Sequence, residues 1–308
     1  MNSSKKTLTV FTPAYNRGYC INKCYESLCR QTCKDFIWLV IDDGSTDNTA
    51  ELIREWSERK DNGFEIKYVY KENGGMHTAH NTAYEHIDTE LNVCIDSDDY
   101  MTDDAVEKII SCWHKHGSEE YAGIFALDIF DNGKIIGKEL ETDRFATTFS
   151  GYFQRGGRGD KKIIYRTDIV KSTPPYPVFE GEKYVSLGYK YEQVDLIAPM
   201  IILNEPVCVV EYRADGSSTN MYRQYLRNPK GFAFARKESM KCNFNTKDVF
   251  RNCIHYVSSS IISKNSKFIS ESPKRFMTVL AIPFGVALTA YIKLKSKDYM
   301  KVEGFSKK

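Results

Sequence analysis

The sequence predicts an α/β protein built on a doubly wound, mostly parallel sheet, followed by a helical C-terminal extension. Three observations carry that expectation. Short apolar runs alternate with segments of helical spacing from Leu8 to His114, the pattern of strands joined by crossover helices. Each of the first four apolar runs ends in a polar, turn-forming cluster. From Asn220 onward the chain reads as helical with interruptions.

The elements follow in order. Leu8-Thr9-Val10-Phe11-Thr12 is the first strand, closed by Pro13, and Ile21 to Cys33 has helical spacing through Ile21, Cys24, Tyr25 and Leu28. Phe36 to Ile41 is almost wholly apolar, as a strand covered on both faces should be. The chain then turns at Gly44, and Ser45 or Thr46 is expected to cap a helix running to Trp56. A third strand, Ile66 to Tyr70, and a third helix, Met76 to Ile87, precede the Leu91–Ile95 strand and a helix from Asp103 to His114. Beyond these, Tyr121 to Phe130 reads as a strand with a hairpin partner, Lys134 to Gly137, across Asp131-Asn132-Gly133. Residues 142–160 read as a loop, and Lys162 to Tyr165 as a short strand. Met200 to Leu203 and Val207 to Tyr212 read as two strands flanking Asn204-Glu205-Pro206.

Composition narrows the function. Hydrophobic residues make up 42% and charged residues 27%, values that support a sizeable core. A net charge of +2 gives no global attraction for nucleic acid, and none is expected as a partner. The N-terminus runs straight into a strand without a secretory pattern, and Cys20, Cys24, Cys29 and Cys33 match neither a zinc ribbon nor a disulfide framework. A cytosolic setting with reduced, packing cysteines follows as the expectation. No G-x-G-x-x-G or G-x-x-x-x-G-K-[ST] follows the first strand, which argues against a dinucleotide enzyme or a P-loop ATPase.

In parallel sheets ligands sit beyond the carboxyl ends of the strands. Those ends carry Pro13-Ala14-Tyr15-Asn16-Arg17, Asp42-Asp43, Asn73-Gly74-Gly75 and Asp96-Ser97-Asp98-Asp99, so four polar clusters are expected on one rim. Three carboxylates within four positions are too costly to bury unpaired. On an extended chain Asp96 and Asp98 share one side, and two such donors suit Mg²⁺ or Mn²⁺ with positions open for phosphate. The same residues also fit the turn and cap of the helix beginning at Thr102-Asp103-Asp104; alone they leave both readings open.

The ordered set Thr-x-x-Tyr-Asn, Asp-Asp-Gly-Ser-Thr-Asp, Asn-Gly-Gly and Asp-Ser-Asp-Asp resembles family 2 glycosyltransferases across residue 7 to about residue 115. Phe179-Glu180-Gly181-Glu182-Lys183-Tyr184 and Glu211-Tyr212-Arg213-Ala214-Asp215-Gly216-Ser217-Ser218 are similar to bacterial capsular or cell-surface polysaccharide members. The resemblance implies a GT-A fold and a nucleoside diphosphate sugar donor, typically carrying UDP. Thr12, Pro13, Tyr15, Asn16, Asp43, Gly75, His77, Asn81, Asp96 and Ser97 would then contact the donor. Tyr15 would stack on the base, and Asp43 would accept from its imide N–H. Asp98, with Asp96, would hold the divalent metal, Mn²⁺ or Mg²⁺, beside the leaving diphosphate. Asp42 alternatively serves the turn at Gly44, and Asp99 serves either the metal or the next helix.

An inverting transfer needs a carboxylate base on the acceptor side. Glu180, Glu182, Glu192 and Asp195 lie in the right part of the chain, and the resemblance favours Glu182, although the Glu-Asp pair of many members does not occur here after residue 150. Arg213 and Asp215 are secondary candidates for diphosphate or metal. The implied reaction is inverting sugar transfer to a growing, lipid-linked cell-surface glycan. A catalytically degenerate binding partner and a nucleotidyltransferase are the alternatives. Residues 1–220 are expected to form the GT-A domain, with a nucleotide half to 118 and an acceptor half from 119, and residues 221–308 a helical extension. Phe276 to Ile292 carries no charge and is flanked by Lys274, Arg275, Lys293, Lys295 and Lys297, which suits peripheral contact with the inner face of the cell membrane; packing on the protein itself and a membrane span are the alternatives. Pro283 and Gly285 interrupt it.

Overall fold

The computed structural model describes residues 6–211, 221–242 and 245–305, with side chains as far as residue 296. Strands β1 (Leu8–Ala14) and β2 (Phe36–Asp42) are buried at every position. Their near-continuous apolar runs fit the centre of a sheet covered on both faces. β1 pairs in parallel with β2 and with β4 (Leu91–Cys94), and β2 pairs in parallel with β3 (Glu65–Tyr70). The sheet continues with β8 (Lys161–Arg166), β6 (Gly123–Ile129), β9 (Met200–Val209) and β5 (Tyr100–Met101), in the order β3-β2-β1-β4-β8-β6-β9-β5; β7 (Ala146–Thr147) pairs with β9. β8 runs antiparallel to both of its neighbours, and β6 and β9 are parallel. The expected mixed α/β sheet, mostly parallel and with helices at the C-terminus, is the architecture found.

Helices α1 (Ile21–Arg30), α2 (Thr49–Glu58), α3 (Met76–His86) and α4 (Ala105–His116) make the crossovers. The stacked rings of Tyr25 and Trp56, 4.3 Å apart, lie beside Trp38 and pin α1 and α2 to the sheet. β1 outruns the expected stop at Pro13, which pairs with Ile41 of β2. The β1–β4 register ends at Phe11 and Cys94, so Pro13 lies beyond it and its missing N–H removes no bond from that ladder.

Several boundaries differ from the sequence reading for local reasons. α1 stops at Arg30 because the buried Gln31 side chain donates to Ser27 O and Thr102 O and accepts from Val106 N, tying the end of α1 to the start of α4. α2 starts at Thr49, where Asp47 Oδ1 accepts from the backbone N–H, and neither Ser45 nor Thr46 caps it. The expected strand Lys134–Gly137 contributes one bridge, Ile129 to Ile135, although the turn across Asp131-Asn132-Gly133 forms. The loop expected over 142–160 contains α5 (Phe149–Gln154), capped by Thr148 Oγ1 accepting from Gly151 N at 3.0 Å. The two strands expected around Pro206 are one strand, β9, whose register shift opposite Leu127 absorbs the proline.

The chain forms two compact units, residues 1–175 with 193–211, and residues 176–192 with 212–308. The boundary expected at residue 220 therefore falls differently. Residues 176–192 join the helices because Glu182 accepts from the amides of Lys230 and Gly231, Lys183 N donates to Asn228 Oδ1, and Tyr184 stacks on Phe232 at 4.7 Å. This second unit comprises α8 (Met221–Arg227), α9 (Pro229–Cys242), α10 (Thr246–Ile262), α11 (Phe268–Glu271) and α12 (Arg275–Phe305), with α7 (Gly188–Asp195) beginning inside it; α6 (Thr167–Ser172) belongs to the first.

Thr12 is wholly buried, and its Oγ1 accepts from Trp38 Nε1 at 3.0 Å. Replacing it with valine keeps the shape and strands the indole N–H, so Thr12→Val is expected to lower stability by about 1–3 kcal/mol in urea unfolding.

Candidate active site

The four parallel strands β3, β2, β1 and β4 are contiguous, so their carboxyl ends at Tyr70, Asp42, Ala14 and Cys94 form one rim. All four polar clusters noted in the sequence lie along it. Tyr15 stands beyond β1 with 48% of its surface exposed, an aromatic face open to a planar ring. Its neighbour Asn16, also expected at the donor, adopts φ +52° and joins two loops. Asn16 N donates to Ser45 Oγ, and Asn16 Oδ1 accepts from Thr46 N, stitching the loop after β1 to the loop after β2. Arg17 N to Thr49 Oγ1 and Gly18 N to Asp47 Oδ2 extend the seam.

Asp42 serves the turn: one oxygen accepts from Ser45 N at 2.7 Å and the other from the Tyr68 hydroxyl at 2.7 Å. Asp43, expected to face a base, is buried, and its oxygens accept from Gly74 N at 2.9 Å and Gly75 N at 2.8 Å while Lys71 pairs with it. The two glycine amides, which suit an anion at the start of α3, therefore receive the chain's own carboxylate. Gly75 holds φ 93°, a conformation glycine adopts without strain. Gly44 lets the two loops touch, since a Cβ there would sit 2.8 Å from Asn73 N.

Two helix residues expected at the donor lie at different depths. Asn81 is half-buried, whereas His77 is buried, and burial pushes its pKa down to about 4. His77, which the resemblance places at the donor, is thus enclosed and kept neutral. His80 is likewise inside, edge-on to Phe11 at 5.0 Å.

The acidic segment is a turn, not an extended strand end: Asp99 N donates to Asp96 O at 3.0 Å. The expected alternation survives in another form. Asp96 and Asp98 are half-buried and accessible, while Ser97 and Asp99 are buried. Asp99 accepts from Glu211 N at 3.1 Å, so it ties the end of β9 to the acidic turn instead of capping α4. Ser97, expected at the donor, is turned inward.

A buried cation stands behind this turn that sequence reasoning missed. Lys162 on β8 pairs in register with Ala126 on β6, and Asp128 lies two residues along the same face, with Lys162 Nζ 3.8 Å from Asp128 Oδ1. Burial works against the ammonium, yet Asp128 foremost, then Cys208, Asp99 and Asp96, holds its pKa well above the ordinary value. Burial likewise raises the carboxyls, Asp128 to about 6 and Asp99 to about 8, with Lys162 opposing it at both. Asp96 is raised by burial and by Asp98, again against Lys162. Paired charges inside two strands, Asp128 and Lys162, are the sequence signal that was available, because a lone buried charge is too costly to keep.

Among the described residues no group of three His, Cys, Asp or Glu side chains is placed to hold a metal. Asp96 and Asp98 feel one another and are accessible, and this two-carboxylate set fits a hard cation whose other positions belong to water and phosphate. Tyr212, Arg213, Asp215 and the rest of that motif to Ser218 lie outside the described residues.

An open aromatic face and an accessible carboxylate pair lie together at the carboxyl rim of a doubly wound sheet, the place where α/β proteins of this class bind their ligands. Residues 9–172, just over half the chain, match the family model described as Glycosyl transferase family 2, and the chain belongs to that family. Among curated relatives it is 35% identical over 102 residues to glycosyltransferase GlyA of Streptococcus pneumoniae, covering 33% of this chain and 14% of the relative. It is 36% identical over 100 residues to chondroitin synthase of Pasteurella multocida, covering 32% and 10%. The chain thus spans well under two thirds of these relatives. Among solved structures it is similar to S. aureus TarS in complex with UDP-GlcNAc, with TM-score 0.63, 16% identity, and 96% and 92% of the two chains covered. It is also similar to the mannosyltransferase PcManGT of Pyrobaculum calidifontis in complex with GDP-Man and Mn²⁺, with TM-score 0.56, 14% identity, and 98% and 80% covered. Both likenesses establish the GT-A fold.

The depressed pKa of His77 sets a pH dependence. Between its ordinary value near 6.5 and about 4, the unfolded chain binds a proton that the folded chain refuses, so this contribution is present at neutral pH and lost as pH falls. Between pH 7 and pH 4 the wild type is expected to lose about 3 kcal/mol more than His77→Gln, read from urea midpoints at each pH.

Proposed function

We propose that this chain transfers a sugar, with inversion, from a nucleoside diphosphate sugar, UDP its nucleotide, to a hydroxyl of a growing cell-surface glycan. The observation that carries the reading is the pairing of the open Tyr15 face with the accessible Asp96–Asp98 turn on one rim, within a chain of this family. Tyr15 offers the base a stacking surface, and Asp43 acts at one remove by holding Gly74 and Gly75 against the rim. Pro13 and Gly75 shape the rim backbone, and Asn81 on α3 reaches toward the sugar diphosphate. Asp98, with Asp96, would hold Mn²⁺ or Mg²⁺, which when bound neutralises charge on the leaving diphosphate. TarS and PcManGT, by their descriptions, bind UDP-GlcNAc and GDP-Man, and PcManGT binds Mn²⁺, which supports a nucleotide-sugar donor and a divalent ion here.

The acceptor is lipid-linked and reaches the enzyme at the cytoplasmic face of the membrane. Glu182 takes the proton from its hydroxyl. The amides of Lys230 and Gly231 fix this carboxylate with one hydrogen bond to each oxygen, and a carboxylate offers about four lone-pair sites, so each oxygen keeps one for the acceptor. The other carboxylates of this region are spoken for: Glu192 accepts from the Ser239 hydroxyl, and Asp195 from the amides of Phe149 and Ser150. Glu180 is exposed.

Calorimetry with UDP and Mn²⁺ tests the donor half. Asp98→Ala is expected to weaken metal-dependent UDP binding by about 10- to 100-fold while folding normally. Equal binding by variant and wild type would remove the acidic turn from the donor site. For the base, Glu182→Gln should lower transfer by about 100-fold or more with donor affinity kept, and Glu180→Gln should behave as wild type. A fall in melting temperature with transfer intact would leave Glu182 as an anchor for α9 alone.

A further inference from the structure

The second unit carries a helix whose polarity is reversed. Residues Arg275–Ser296 of α12 are long and apolar enough to cross a membrane, with mean hydropathy 1.7, yet only 28% of that stretch is buried. The face turned inward carries mostly small and polar groups: Thr278, Ala281, Gly285 and Thr289 are buried, with Ile292 the large apolar exception. Thr289 Oγ1 donates to Ser258 Oγ at 2.9 Å, and Gly285 lies so close to Val257 that a Cβ would meet it at 2.4 Å. Most of the large apolar side chains stand in solvent, although Phe284 also meets the Phe250 ring of α10 at 5.8 Å and Tyr291 meets Tyr222 of α8 at 5.8 Å. Phe276 is 77% exposed, and Leu280, Phe284, Tyr291 and Leu294 are exposed at 51%, 54%, 47% and 64%. Their spacing of three, four and seven places them along one stripe. No polar residue interrupts that stripe, and single exposed hydrophobics need no explanation whereas a continuous stripe does.

Charge decides among the occupants. Between Ser272 and Ser296 there is no acidic residue, while Lys274 and Arg275 precede the stripe and Lys293 and Lys295 follow it, all exposed. Exposed Lys264 and Lys267 lie on the turn between α10 and α11. An apolar stripe bracketed by cations and lacking anions is complementary to acyl chains beneath anionic headgroups. A second copy of this face would set like charges against each other. Spanning is disfavoured by the partner helix, since α10 carries Lys247, Asp248 and Arg251 in its first turns and packs along α12. Pro283 also falls at the middle of the stripe.

We infer that the Phe276–Leu294 face of α12 lies in the headgroup layer of an anionic bilayer, as a peripheral membrane-docking surface. It deepens the proposed membrane-side acceptor and rests on that reading for its biological setting alone; the surface itself is argued from unit-local packing and charge. Docked in this way, the chain stays at the plane where a lipid-linked acceptor is found.

The full chain is mixed with vesicles of phosphatidylcholine containing about 30 mol% phosphatidylglycerol and sedimented, beside pure phosphatidylcholine vesicles. Partition at least about tenfold stronger to the anionic vesicles, weakened by added salt, is expected. Leu280→Glu with Phe284→Glu should abolish it, and Lys293→Glu with Lys295→Glu should weaken it. Melting temperature and UDP binding should stay as in the wild type, because these side chains are exposed. No sedimentation, or equal partition to both vesicles, overturns the proposal. So does light scattering that shows a dimer lost on Leu280→Glu, which would make the stripe a self-association surface. Retention in membranes after carbonate extraction would overturn it in favour of a span. UDP binding measured on the same samples keeps a failure of the transferase reading separate from any of these results.

Discussion

The rim depends on one buried carboxylate. Asp43 directly follows β2, and from there it receives the amides of Gly74 and Gly75 and the Lys71 ammonium, so the loop before α3 is fixed to the strand two places along the sheet from β4. A loop with two unsatisfied amides at a helix start would attract any passing anion. Supplying that anion from within the chain gives the rim a fixed shape before ligand arrives. The Asn16 seam to Ser45 and Thr46 does the same for the neighbouring pair of loops and leaves Tyr15 standing clear. Order among the loops is thus built from side chains that the sequence presents as ligand contacts.

Under the acidic turn the same logic operates with opposite sign. Asp96, Asp99 and Asp128 crowd a region that burial makes hostile to negative charge, and Lys162 makes the crowd tolerable. Asp99 is drawn inward to the Glu211 amide, which leaves Asp96 and Asp98 as the accessible pair. The cation behind the turn takes up Asp99 and Asp128 as structure and leaves Asp96 and Asp98 facing outward.

Much of this was legible in the sequence. The alternation of apolar runs and helical segments, together with the coincidence of four polar clusters, located the parallel strands and their rim, because period and turn chemistry are local properties. Thr12, Asn16, Asp43 and His77 were not legible as structural groups. A threonine, an asparagine or a buried histidine looks the same in sequence whether it faces ligand or core, and only Trp38, Ser45, Gly75 and the enclosure of His77 distinguish the cases. The same holds for Glu182, whose partners Lys230 and Gly231 lie far along the chain.

By itself, then, the sequence determined the class of fold, the order of its first seven elements, the family motifs and the apolar C-terminal stretch, since each is encoded by spacing within a few residues. Tertiary structure decided which carboxylates face outward, that Lys162 sits behind them beside Asp128, that residues 176–192 belong with the helical unit, and that α12 buries most of its small residues and exposes most of its large ones. The physical reason is common to all four. Burial and pairing depend on contacts between distant segments, and a residue's local pattern does not record which neighbour the fold will bring to it.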